Sequence, residues 1–148
     1  MKTTILFFLT ISLLASACNK KMHTSQNPGM KPTASFDNTR WKLVKLSGVD
    51  TFPVLEKDVF IQFNKSDSTF KGYAGCNNMF GKYVIKGSNL KIGPAAMTRM
   101  MCPPENMKVE DNLAKAINAT DNYLIQGDHL ELKQGKLILA EFDALYLK

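Results

Sequence analysis

Five sulfur-bearing side chains fall inside the stretch AMTRMMCPPENM: Met97, Met100, Met101, Cys102 and Met107. Thioether and thiolate sulfur are soft donors, so one chemistry that this spacing admits is a Cu(I) site. A second is nucleophilic or redox chemistry at the Cys102 thiol, which needs a neighbouring base, usually a histidine. A third is architecture, with flexible methionines filling an irregular core and Cys102 bridged to another cysteine. The rest of the chain weighs on the choice. It has no Met or His repeat of the kind that dedicated copper carriers show, and His129, the one histidine of the folded part, falls at an expected hairpin turn. Beyond residue 18 the only other cysteine is Cys76. An exported chain meets an oxidising compartment, where a pair of thiols tends to bridge. The leading expectation is a Cys76–Cys102 disulfide with the methionines as core filler. Copper(I) or thiol-redox handling through segment 97–107 stays open as the alternative.

Other catalytic signatures are missing. There is no G-x-S-x-G, P-loop, H-E-x-x-H or C-x-x-C pattern, so the nucleophile elbow, the phosphate cradle, the zinc protease and the redox pair have no carrier. Glu105, Glu110 and Asp111 read as a solvated helix face with partners for the helix dipole. Asp128 belongs to a turn, and Glu131 points outward beside Leu130 and Leu132. The chain is expected to be no enzyme and to carry neither catalytic residues, nor a resident metal, nor a cofactor.

The amino terminus has the three parts of a secretory signal. Lys2 is the positive end, Ile5 to Leu14 an apolar run, and Ala15-Ser16-Ala17 the small residues that follow. The run is shorter than the ~20 residues a membrane span needs. Ala15-Ser16-Ala17-Cys18 resembles the lipobox of bacterial lipoproteins, in which the leader is cut before the cysteine and the thiol takes a diacylglyceryl group. That resemblance makes Cys18 the lipidation site. Several acyl chains on one cysteine hold a protein on a membrane that a single chain holds only reversibly. The segment after it, through Ser35, is polar with Pro28, Gly29 and Pro32, a composition that buries no core and reads as a flexible tether. Asn19 stands where lipoproteins kept in the inner membrane usually carry aspartate. The expected location is the cell envelope, lipid-anchored, at the outer membrane and facing the periplasm.

The 148 residues allow one folded domain, expected over residues 36–148 after a leader (1–17) and the lipidated cysteine with its tether (18–35). The formal charge of +6 overstates the folded part: from Phe36 onward 15 basic residues face 13 acidic ones, leaving +2. With no basic stripe interleaved with aromatics, a nucleic-acid partner is not expected. The excess charge near the amino terminus suits anionic lipid headgroups instead.

From Phe36 the pattern is one of short strands. RWKLVKL alternates, with Trp41, Leu43 and Lys45 on one side and Lys42, Val44 and Leu46 on the other. VFIQF puts Val59, Ile61 and Phe63 on one face, and GKYVIKGSNLKIG reads as two strands about Gly87-Ser88. In YLIQGDHLELKQGKLILAEF the pairs Tyr123/Ile125, Leu130/Leu132 and Leu137/Leu139 share faces between tight turns. Period-two runs divided by such turns make an antiparallel meander. One helix interrupts it. PPENMKVEDNLAKAINAT opens on prolines and sets Val109, Leu113, Ala116 and Ile117 on one stripe. The fold class is therefore mainly β with one α-helix: a strongly curved antiparallel sheet, a small barrel closed to remove its edges, with the helix packed on it.

GYAGCNNMFGKY resembles the G-x-x-G-C-N-x-x-x-G-x-Y segment of META domains, and AAMTRMMC resembles their T-x-M-x-C segment, above all in the HslJ-like branch. The resemblance runs from about Phe36 to Lys148. It implies a lipocalin-like curved sheet with one helix. It carries the family motif onto Gly72, Gly75, Cys76, Asn77, Gly81 and Tyr83, then onto Thr98, Met100 and Cys102, with Arg99 between. It also implies an envelope lipoprotein of stress tolerance, linked to heat shock and novobiocin-type antibiotic resistance, with no established ligand. Physically, Gly72 and Gly75 suit bends, Asn77 suits a tight turn held by its own side chain, and Thr98 and Arg99 suit satisfying backbone groups or displaying a charge. The function so expected is a non-catalytic, monomeric binding module held at the membrane through Cys18. Its partner is another envelope protein or a small hydrophobic molecule. A protease-inhibitor-like role is the other alternative.

Overall fold

The computed structural model describes residues 34–146. The leader, Cys18 and all of the tether up to residue 33 lie outside the described residues. Ala34 and Phe36 are already part of the buried core, and the Ala34 N–H donates to the Gly127 carbonyl at 3.0 Å.

The strands are β1 (Arg40–Leu46), β2 (Phe60–Asn64), β3 (Thr69–Tyr73), β4 (Asn78–Lys86), β5 (Asn89–Ile92), β6 (Ala96–Met97), β7 (Asn122–Gln126), β8 (His129–Gln134) and β9 (Leu137–Leu145), with helix α1 (Pro104–Ala119) between β6 and β7. All pair antiparallel, in the order β3-β2-β1-β9-β8-β7-β5-β4, and β3 also pairs with β4, so the sheet returns on itself as a ring. The β5–β7 seam is the thin one, with Asn89 opposite Asn122 as its one registered pair. Beyond β5 the chain continues along β4 as the two-residue β6, pairing Met97 with Met79 and Ala96 with Phe80. The turns fall where the sequence sets them, with Gly87, Gly127 and Gly135 at positive φ.

The interior of the ring is filled by its own side chains. Trp41, Ile61, Phe63, Phe70, Leu90, Leu130, Leu132 and Phe142 are fully buried. Phe36 stacks on Phe63 at 4.2 Å between ring centroids and meets Tyr83 and Tyr123 as well. The Trp41 indole N–H donates to the Phe36 carbonyl at 3.0 Å, which fixes that entry segment. Helix α1 buries Val109, Leu113, Ala116 and Ile117 against β1, β5, β8 and β9. Pro103 and Pro104 open it, and Glu105 occupies its first turn.

Two bulges correct the simple alternation. In β1, Leu43 pairs with Phe142 and Lys45 with Glu141, which leaves Val44 as the extra residue. Parity therefore flips, and Leu46 is buried together with Trp41 and Leu43 instead of facing away from them. In β9, Leu132 pairs with Ala140 and Lys133 with Ile138, leaving Leu139 extra. Leu139 and Ala140 are both buried, whereas Leu137, at the hairpin end, is exposed and does not share a core face with Leu139.

Candidate functional site

The site is built where three segments meet: the β3–β4 turn, the stretch after β6, and the first turns of α1. Gly72 in β3 passes so close to β2 that a Cβ there would collide with the Phe60 carbonyl. That close approach brings the strand end inward before the turn. Gly75 follows with φ +109°, a backbone state that side chains disfavour. Ala74 N–H donates to the Asn77 carbonyl at 2.9 Å and closes the turn. Cys76, in that turn, is bridged to Cys102, immediately before the helix, with the Cα atoms 6.0 Å apart. The disulfide expected from the cysteine count is thus formed, and it ties the turn to the helix start.

Asn77 is the hub. It is 2% exposed, and it reaches other segments where the sequence reading had it bond only its own backbone. Its Oδ1 accepts from the Met100 N–H at 2.7 Å and from the Thr98 hydroxyl at 2.8 Å. Its Nδ2 donates to the Met100 carbonyl and to Glu110 Oε1, each at 3.1 Å. Its backbone N–H donates to Glu110 Oε2 at 2.7 Å. The Met100 N–H can only donate, so it fixes which end of the amide is oxygen. Thr98 adds a further link by accepting from the Asn78 N–H at 3.1 Å.

Glu110 is what sequence reasoning missed. Taken for part of a solvated helix face, it is 6% exposed and locked onto Asn77. The signal was available: Glu110, Leu113 and Ile117 are spaced i, i+3, i+7, on the buried stripe itself. No basic side chain forms an ion pair with Glu110 among the described residues. Its charge is met by the Asn77 donors instead. Nearby, burial and then the charges of Glu56 and Glu110 push the Tyr73 phenol above its ordinary range, while its hydroxyl donates to the Gly75 carbonyl at 3.0 Å.

The methionines are corrected too. The residue that fills the core is Met79, 1% exposed. Met97 and Met107 are only half-buried, Met100 is 60% exposed and Met101 is 98% exposed. These four line one surface hollow of about 640 Å³ with Ala95, Ala96, Thr98 and Arg99, and Asn77 and Glu110 lie at its wall. Phe80, half-exposed and paired with Ala96 across the ladder, extends the apolar surface. Arg99 is exposed at this hollow and makes no ion pair among the described residues.

The remaining motif residues brace the ring. Gly81 pairs with Phe70 across the β3–β4 ladder. Tyr83 is buried against Phe63 at 5.2 Å between centroids, and that burial raises its phenol above the ordinary range. His129 is engaged elsewhere: Nδ1 lies 2.7 Å from Asp143 Oδ1 and Nε2 lies 3.3 Å from Glu141 Oε2, which Lys45 also contacts. Cys102, as a disulfide, offers no thiolate.

A family model described as META domain matches residues 34–143. No curated protein matches the chain. A protein from Burkholderia xenovorans solved by NMR is similar over 81% of this chain and 97% of its own, at 21% identity and a TM-score of 0.60. A second protein solved by NMR is similar over 70% of this chain and 87% of its own, at 22% identity and a TM-score of 0.54. At such identities the likeness is one of fold.

Proposed function

The chain belongs to the META domain family, and from that premise we propose that it is a non-catalytic, lipid-anchored envelope protein that supports stress tolerance by binding apolar segments of other envelope proteins. Cys18 is its anchor, at the outer membrane facing the periplasm. The observation that carries the reading is the exposed pair Met100 and Met101 at the rim of a hollow whose frame is tied by the Cys76–Cys102 bridge and the Asn77 hydrogen bonds. Methionine surfaces of this kind adapt to varied apolar partners because the side chain is unbranched and polarisable. The ring interior is packed with its own side chains, which favours an outer surface over an internal ligand cavity. The bridged cysteines favour binding over thiol chemistry.

A deletion strain grown at elevated temperature and with novobiocin tests the reading. The wild-type chain restores growth, and Cys18→Ala, which cannot be anchored, restores it poorly. Equal growth of the deletion strain and its parent under both stresses would end the stress-tolerance proposal.

A second reading is soft-metal handling, favoured by the four thioethers of Met97, Met100, Met101 and Met107 around one hollow. In it the donors are thioethers alone, since Cys102 is committed to the disulfide. Saturable Ag(I) binding that Met100→Leu and Met101→Leu abolish would favour this reading over the first.

A further inference from the structure

Oxidisable side chains are protected unevenly in this domain. Cys76 and Cys102 are already joined, Trp41 is fully buried, and Met79 is 1% exposed. Met97 and Met107 are half-buried. Met100 and Met101 are the methionines left open among the described residues, at 60% and 98% exposure. Methionine is ordinarily taken into the interior. The loop that presents this pair is not loosely held. Both the N–H and the carbonyl of Met100 are bonded to the Asn77 side chain, and Cys102 is pinned one residue beyond Met101. Among the described residues, a held backbone, an open thioether pair and an already oxidised cysteine pair make Met100 and Met101 the most accessible sulfur for an oxidant.

We infer that Met100 and Met101 are a modification site for peroxide, and that their oxidation turns the hollow polar and releases an apolar ligand. The step balances with peroxide alone. The thioether sulfur attacks one peroxide oxygen, the O–O bond breaks, an S–O bond forms, and the second oxygen leaves as water. Sulfur gives up two electrons and the peroxide takes them. The sulfoxide is polar where the thioether was apolar, so the rim loses the surface that attracts apolar segments. Because neither side chain fills the core, the fold survives the change. The release half of this inference rests on the binding reading above; the modification half does not.

The test uses the full chain in lipid nanodiscs, hydrogen peroxide, and fluorescein-labelled β-casein as an unfolded apolar probe read by fluorescence anisotropy, with empty nanodiscs as the blank. Peptide mapping by mass spectrometry gives each methionine its own rate, so Met22 and Met30 are read apart. The expected result is that Met100 and Met101 oxidise at least about tenfold faster than Met79, and that casein binding weakens by a similar factor. A Met100→Leu/Met101→Leu chain, inert to peroxide at these two positions, shows the same casein affinity after the treatment as before it, whatever affinity it starts from. Met79 oxidising as fast as the pair would overturn the modification site. Casein binding unchanged by oxidation, or lost equally in the leucine variant, would overturn the switch. An untreated chain that never binds casein sinks the binding reading and the switch together, while the mapping still decides the modification site.

Discussion

Glu110 holds Asn77 twice, accepting its backbone N–H at 2.7 Å on one carboxylate oxygen and its side-chain Nδ2 at 3.1 Å on the other. The two residues are 33 positions apart, one in a turn between strands and the other on a helix. With Met100 bonded to the same asparagine, the pair sets where the exposed methionines stand.

Glu110→Gln is therefore expected to destabilise the domain although it removes a buried charge. An amide offers one acceptor where two donors point, so its NH₂ faces an Asn77 N–H and one buried donor is left unpaired. That costs about 1–3 kcal/mol. A urea midpoint that falls while the slope m stays constant is the expected reading. In a cycle with Asn77→Ala and Glu110→Ala, the double variant should lose less than the sum of the singles, by about 1–2 kcal/mol.

Removing the bridge with Cys76→Ala/Cys102→Ala acts on the same frame from its other end. The two cysteines are 26 positions apart, and losing that constraint on the unfolded chain costs roughly 3–4 kcal/mol in the chain-entropy treatment. Hydrogen exchange should report the change first at the Met100 amide, which then relies on Asn77 alone. Equal protection with and without the bridge would assign the rigidity of the loop entirely to Asn77.

Gly72→Ala tests the approach of β3 to β2. The added carbon meets the Phe60 carbonyl and sits 2.7 Å from the Met79 methyl. Backbone on one side cannot yield cheaply, so a loss of ~2–3 kcal/mol is expected from thermal or denaturant unfolding.

The Asp121 carboxyl gives a pH dependence with a definite sign. The Gly135 N–H donates to it at 2.9 Å and the Asn122 amide at 2.6 Å, and these bonds hold it below its ordinary value of 3.8. The unfolded chain then binds the proton more readily than the folded one. Stability from this group is complete above the ordinary value and is lost as pH falls through the lower folded value. Asp121→Asn should flatten that part of the acid limb in a series of thermal midpoints measured from roughly pH 5 downward. A variant with an unchanged acid limb would show that Asp121 does not contribute to it.

Much of the fold was legible in the sequence because it rests on local patterns. Period-two runs, glycine turns and the Val109–Leu113–Ile117 stripe place the named elements with little help from distant contacts. The exceptions are the two bulges: whether Val44 or Leu139 is the extra residue depends on the partner strand, which alternation within one strand does not encode. The cysteine pair was legible from the cysteine count together with the expectation of an exported chain. Glu110 was not read correctly, since a charged residue on a helix is ordinarily solvated, and only its i, i+3, i+7 relation to Leu113 and Ile117 argues otherwise. The methionines misled for the converse reason: apolar side chains suggest a core, but the core was already filled by aromatic and aliphatic residues from the strands.

The central claim is that the Met100–Met101 surface, presented by Asn77 and Glu110, is what the protein works through. The most direct measurement is growth of a deletion strain under heat and novobiocin when it carries Met100→Ser/Met101→Ser, beside the control Val84→Ser at another exposed apolar position. Surface changes of this kind should leave stability within about 0.5 kcal/mol, checked by denaturant unfolding. The account expects the methionine variant to fold normally and fail to restore growth, while the Val84 variant restores it. A folded methionine variant that restores growth as well as the wild-type chain would contradict it.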